Sequence, residues 1–378
     1  MSKFDNIRFY HDSEVNDALV PLAKHPIFRT LLAFIFPHLT DIERMERLMQ
    51  ITSIEEFQHE LAYPALLRVL EKSSNGLTNS GFEKLEDNTP YLYISNHRDI
   101  LMDTSLLNLL LKEKGKIMTA SAIGDNLVQK QFLMVLAKVN RNFLVRRGLS
   151  PRELLESSKL LSEYIGHLLL ESNQSVWIAQ REGRTKDGND ETNPGLLKMI
   201  SMAADNGNII EYFKKLKIVP VSISYEYDPT DAMKMPQLIA QANDEVYIKE
   251  KNEDFLTIYS GIIGQKKGIH YHIGDLLDKE LDVIAATIDK PNKQLQAVAN
   301  LIDRSIVANY KLWPTNYIAY DILFETDRFV AQYTAQEKQL FIRRLELRVD
   351  KGNQFVVDNF LAMYANPVVN QLKLQDNG

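Results

Sequence analysis

Residues 91–95, Tyr-Leu-Tyr-Ile-Ser, are an apolar run of strand length. The run ends on Asn96-His97, and within about two turns a helical apolar pattern begins at residues 104–111. A chain that passes from a buried strand through a polar turn into a helix is building a strand–helix unit, and the texture recurs. Short apolar runs at 117–120, 143–145, 175–179 and 218–225 alternate with helical spacing. That alternation predicts an α/β domain. Its helices are marked locally: Ser150-Pro151-Arg152-Glu153 combines an N-cap, proline at the first helical position and Glu at the third, so a helix starts just after Arg146-Arg147-Gly148.

The flanks read differently. Val15, Ala18, Leu19 and Leu22 recur at helical spacing, as do Ile42, Met45, Leu48 and Met49, and Ser53 with Glu56 forms a capping box before Phe57 and Leu61. Residues 1–76 are therefore expected to be a helical leader ended by Ser73-Ser74-Asn75-Gly76, with the α/β domain over 77–290. Helical spacing returns at Leu295, Val298, Leu301, Ile302 and Ile306 and continues to residue 378, interrupted at Trp313-Pro314.

Composition limits the chemistry. The 378 residues carry a formal net charge of −6 with no extended basic run, which argues against nucleic acid as a partner. There is no cysteine, so disulfides, thiolate metal sites and cysteine nucleophiles are excluded. The first residues lack the basic and apolar regions of a signal peptide, which makes the cytoplasm the expected compartment. The apolar stretch at 30–36 is well short of the ~20 residues that span a bilayer.

Four segments carry candidate chemistry. In the first, His97 at a strand end with carboxylates close behind suggests a general base held by Asp99 or Asp103; read alone, Asn96, Asp99 and Asp103 serve equally as turn and cap residues. In the second, Phe143-Leu144-Val145-Arg146 leaves an arginine at a strand end. In the third, Gln180-Arg181-Glu182-Gly183-Arg184-Thr185-Lys186 turns a buried strand into a loop with three cations, suited to phosphate if Glu182 fixes an arginine; alone it is a charged surface loop. The fourth, Ile218-Val219-Pro220-Val221-Ser222-Ile223-Ser224-Tyr225, is a buried strand with an internal proline. His270 and His272 share one side of an expected strand, but no third ligand of metal spacing is near, so no metal site is assigned.

Taken in order, these segments resemble the four motifs of the glycerolipid acyltransferases, the family that acylates glycerol 3-phosphate, dihydroxyacetone phosphate and lysophosphatidate. The resemblance implies a mixed sheet flanked by helices, with His97 as base and Asp103 as its partner. It places Asn96, Arg98, Arg146, Glu182, Gly183, Arg184 and Lys186 at the substrate, with Arg146 and Arg184 on the acceptor's phosphate and Lys186 in reserve. It implies no cofactor; acyl-CoA or acyl carrier protein is the co-substrate, and the protein is peripheral on the cytoplasmic face of a membrane. The chain departs from the motifs at three points. Five residues rather than four separate His97 from Asp103, one residue is missing between Gly183 and Arg184, and Asn140-Arg141-Asn142 stands where a glycine commonly opens the second motif. An amino-acid lipid as acceptor, or a lipid-binding scaffold without turnover, are the alternatives. A membrane contact is expected at Ile27, Phe28, Leu31, Leu32, Phe34, Ile35 and Phe36, with packing of these residues as core the competing expectation.

Overall fold

The computed structural model describes residues 2–376. Seven strands form one sheet: β1 (Ser74–Ser80), β2 (Leu92–Ser95), β3 (Thr119–Gly124), β4 (Asn142–Val145), β5 (Ser175–Ala179), β6 (Ile218–Tyr225) and β7 (Lys267–Ile273), in the order β1-β7-β6-β2-β5-β3-β4. Neighbours pair in parallel except β6 with β7, which are antiparallel. The sheet is therefore mixed, and the carboxyl ends of β2 to β6 share an edge with the amino ends of β1 and β7.

Alternation of side chains along the strands builds two apolar layers. Leu92, Ile94, Val176 and Ile218 face the helices Pro151–Leu170, Ile209–Leu216 and Pro291–Ala308. Tyr91, Tyr93, Trp177, Val219 and Val221 face the helices Met102–Glu113 and Tyr63–Ser73. Because both faces are covered, the central strands read as continuous apolar runs. The internal proline fits this arrangement. The Leu92 N–H donates to the Lys217 carbonyl, so the odd-numbered residues of β6 turn their polar groups toward β2, and Pro220 falls on the opposite side, where pairing with β7 begins only at Val221.

One expectation needs correction. Ser74-Asn75-Gly76 does not simply end the leader: it opens β1, a polar edge strand without the apolar pattern that marks a strand in sequence. The region after residue 291 is helical as expected, and its Val298, Ile302 and Ile306 lie in the same core as Leu92 and Val176. The leader packs as its own cluster, in which Phe28, Leu32, Ile35 and Phe36 are buried with Leu48, Ile51 and Phe132. The segment expected to meet a membrane is mostly core, although Ile27 is exposed. No described helix is long and apolar enough to cross a bilayer; only the pair Asp12–Lys24 and Pro26–Ile35, bent by 100°, passes that test jointly.

Candidate active site

β2 delivers His97 to the carboxyl edge of the sheet, and the following turn is folded around a carboxylate. Asp103 is fully buried in the first turn of the Met102–Glu113 helix. Its Oδ2 accepts from the Arg98 N–H at 2.7 Å and the Asp99 N–H at 3.0 Å, and it lies 2.8 Å from His97 Nδ1. Its Oδ1 accepts from the Tyr225 hydroxyl at 2.9 Å. A carboxylate already receiving two backbone N–H groups presents only acceptor density, so it selects the imidazole tautomer with the proton on Nδ1 and the lone pair on Nε2. Trp177 lies edge-on to the ring with centroids 5.6 Å apart, and the ring retains 12% side-chain exposure.

Asp99 has a separate task. Its Oδ1 accepts from the N–H groups of Leu101 and Met102 at 3.0 and 2.8 Å, which caps the helix. Burial, followed by the neighbouring Asp103, pushes its carboxyl above the ordinary range. Gly261 passes so close that a Cβ there would stand 2.1 Å from Asp99 Oδ2. Of the two carboxylates left open by the sequence, Asp103 meets the histidine.

Asn96 and Arg98, expected at the substrate, are instead engaged within the protein. Asn96 accepts from the Ile223 N–H at 2.8 Å and donates to its carbonyl at 2.9 Å, tying the end of β2 to β6. Arg98 turns inward, ion-pairs with Asp190 and lies against the Tyr310 ring with its guanidinium 5.1 Å from the centroid. Both members of that ion pair are buried.

The third motif's loop runs beside the base, because the Thr185 N–H donates to the His97 carbonyl at 3.1 Å. Gly183 supports the turn with φ of 74°. Arg184 donates from Nη1 to Thr230 Oγ1 at 2.6 Å and forms no ion pair among the described residues. Lys186 has no hydrogen bond or ion pair among them either, and burial together with Arg184 and Lys234 lowers its ammonium to about 7. Two partly buried cations without a paired carboxylate among the described residues thus flank Thr185, the residue whose N–H meets the His97 carbonyl. Glu182 does hold an arginine, but one outside its own loop: it pairs with Arg147 at 2.8 Å across the ends of β5 and β4.

Arg146 is exposed at the end of β4. Three strand spacings separate β4 from β2, roughly 14 Å, so the structure does not bring Arg146 to His97. His270 and His272 share Ser80, whose Oγ lies 3.1 Å from His270 Nε2 and 2.8 Å from His272 Nδ1. Burial holds His270 down at about 4. No group of three or more His, Cys, Asp or Glu side chains that could hold a metal occurs among the described residues. A hollow of about 540 Å³ lined by Ile42, Met45 and Met49 belongs to the leader and contains none of the expected site residues. Sequence reasoning missed Thr230, which holds Arg184, and the role of Tyr225, the last residue of the fourth segment, which holds Asp103; no spacing in the sequence singles out either contact.

The model of the Acyltransferase family matches residues 76–224, from β1 almost to the end of β6. Comparison with curated protein sequences returns no significant match. Among solved structures, the chain is similar to the 1-acyl-sn-glycerophosphate (LPA) acyltransferase PlsC from Thermotoga maritima, at 12% identity over 79% of this chain and 96% of that one, with a TM-score of 0.37. An overlap that loose adds nothing to the assignment. Residues 76–224, which hold the first three motif-like segments and all but the last residue of the fourth, match the model of an acyltransferase domain.

Proposed function

We propose that the protein transfers a fatty acyl group from a thioester, acyl-CoA or acyl carrier protein, to a hydroxyl of a phosphate-bearing acceptor such as glycerol 3-phosphate or a lysophospholipid. The observation that carries this reading is the His97–Asp103 contact of 2.8 Å on the carboxyl edge of the family domain, with Nε2 left to act. In this mechanism His97 Nε2 takes the proton of the acceptor hydroxyl as its oxygen attacks the thioester carbonyl carbon. The tetrahedral intermediate collapses, the C–S bond breaks, and the imidazolium returns its proton to the leaving thiolate. Asp103 keeps the tautomer and stabilises the imidazolium. No acyl-enzyme is required, because the thioester is already activated and the site supplies proximity and a base.

Arg184 and Lys186 are the groups we assign to the acceptor's phosphate. Two half-buried cations lacking carboxylate partners favour a dianionic ligand. Acceptor and product being lipids or lipid precursors, the reading also puts the protein at a membrane surface on its cytoplasmic side. The test is thiol release from acyl-CoA and acyl carrier protein with phosphate-bearing and amine-bearing acceptors. Turnover dependent on a phosphate acceptor and abolished in folded His97→Ala supports the reading; turnover only with amine acceptors, or undiminished turnover in His97→Ala, refutes it.

A further inference from the structure

The Arg184 side chain of the third motif ends on a loop far outside that motif. The loop after β6 carries Asp228, Pro229, Thr230 and Asp231, all buried. Asp228 is ion-paired to the buried Lys234 and accepts from Thr230 twice, from its N–H at 2.8 Å and its hydroxyl at 2.9 Å. Asp231 is held from the helix Ala335–Arg348 by two arginines one turn apart: Arg344 Nε reaches its Oδ2 at 2.8 Å and Arg348 Nε its Oδ1 at 2.8 Å. The same arginines donate to the carbonyls of Asp228 and Pro229 at 2.8 and 3.0 Å. From the helix Gln354–Asp376, the Tyr364 hydroxyl accepts from the Asp228 N–H and donates to Asp231 Oδ2.

The same long helix clasps the other side of the third-motif loop. Asn366 donates to the Asp187 carbonyl at 2.7 Å, and Gly188 lies so near Met363 that a Cβ would stand 2.3 Å from the Met363 carbonyl oxygen. Arg184 sits between these two anchored segments, bonded to Thr230 Oγ1. A buried ionic cluster is a weak way to gain stability compared with apolar packing. It is a strong way to fix direction. The choice of partner is informative too, because a neutral hydroxyl orients the guanidinium without neutralising it, whereas the nearby carboxylates are taken by Lys234, Arg344 and Arg348.

We infer that Thr230 is a positioning residue for acceptor recognition: braced by the C-terminal helices through Arg344, Arg348 and Tyr364, it aims Arg184 at the acceptor's phosphate while leaving its charge free. The inference rests on the assignment of Arg184 to that phosphate. It makes the C-terminal helical region, which lies outside the matched family segment, part of the specificity apparatus.

The experiment measures KM for glycerol 3-phosphate and for lysophosphatidate, KM for acyl-CoA, and kcat, in wild type, Arg184→Ala, Thr230→Val, Thr230→Ser and the Arg184→Ala/Thr230→Val pair, with a thermal melt of each. Loss of one hydrogen bond to a charged group predicts roughly a tenfold higher acceptor KM in Thr230→Val, donor KM within about twofold, and recovery in Thr230→Ser. In the Arg184→Ala background Thr230→Val should add nothing further. If Arg184→Ala raises acceptor KM but Thr230→Val does not, or Thr230→Val is additive with it, the positioning role is refuted while the phosphate assignment stands. If Arg184→Ala leaves acceptor KM unchanged, the phosphate assignment fails and the positioning role with it. Should Thr230→Val not fold, a normal acceptor KM in folded Thr230→Ala would equally refute the inference, and a raised one that Thr230→Ser restores would sustain it.

Discussion

Asp103→Asn separates an electrostatic from a purely geometric role for the carboxylate. Asparagine is nearly isosteric, and the surroundings determine how it must sit. The position of Oδ2 receives N–H groups from Arg98 at 2.7 Å and Asp99 at 3.0 Å, besides His97 Nδ1 at 2.8 Å. An amide NH₂ placed there would face three donors, so the amide oxygen takes that position and the NH₂ turns to the Tyr225 hydroxyl, which can accept. The variant therefore keeps the imidazole's orientation and tautomer and loses the negative charge that stabilises the imidazolium. Charge centres about 4 Å apart at an effective dielectric near 20 interact by about 4 kcal/mol, a loss of roughly a thousandfold in kcat/KM, within the ~10²–10⁴ range typical of general-base catalysis. Asp99→Asn retains the Oδ1 acceptor that caps Leu101 and Met102 and removes a charge that burial opposes, so activity should stay within about fivefold. Thiol-release kinetics on both folded variants provide the check. An Asp103→Asn enzyme within fivefold of wild type, or an Asp99→Asn enzyme disabled a hundredfold, would refute the assignment of Asp103 as the partner.

Asp99 also gives a stability prediction. Its carboxyl is raised in the fold, so the native state binds more protons than the unfolded chain, and stability falls as pH rises from the ordinary carboxylate value of 3.8 toward the raised folded value. Denaturant midpoints of Asp99→Asn should therefore gain on wild type as pH rises through that window; a constant difference would contradict it. Lys186, lowered to about 7, must be protonated to meet a phosphate, so acceptor KM should rise above about pH 7 in wild type and rise less in Lys186→Arg; parallel pH profiles for the two enzymes would remove Lys186 from the site. Arg184→Ala should raise acceptor KM about ten- to a hundredfold, whereas Arg146→Ala, at a strand end roughly 14 Å from β2, should leave it within about threefold; the reverse order would show that the two motifs have been assigned wrongly. In the leader, Phe28→Ala should cost about 3–5 kcal/mol in equilibrium unfolding because Phe28 is 2% exposed in its own cluster, and a loss below about 1 kcal/mol would show that the leader is not a packed core.

What could be read in the sequence follows from where the information lies. The central strands were legible because each is buried on both faces and must be apolar throughout; β5 and β6 begin and end where the apolar runs do. The helix after Ser150 was legible because its signal is local: Glu153 accepts from the Ser150 N–H at 2.9 Å. β1 was not, since Ser-Asn-Gly-Leu-Thr-Asn-Ser has neither burial nor alternation to reveal it, and its strand conformation comes from β7, almost two hundred residues away. For the leader, composition alone cannot distinguish an apolar helix that meets lipid from one that meets protein. Phe28 and Leu32 are buried because Leu48, Ile51 and Phe132 are in place to cover them.

The site divides in the same way. His97 and Asp103 are six residues apart, so strand, turn and helix suffice to bring them together, and the extra residue in the motif is absorbed by a turn in which Asp99 caps the helix and Asp103 takes the Arg98 and Asp99 N–H groups. The cations could be named from sequence but their partners could not. That Glu182 fixes an arginine is legible, but not which one: the left-handed Gly183 turns the chain after it, and its partner is Arg147 at the end of another strand. Arg98, adjacent to the base, is neutralised by Asp190, ninety-two residues on. A basic residue in a motif is a candidate for substrate only if its charge remains unpaired in the fold. Here that condition removes Arg98 and retains Arg184 and Lys186, because the carboxylates near them are already taken by lysine and arginine from the loop after β6 and the C-terminal helices.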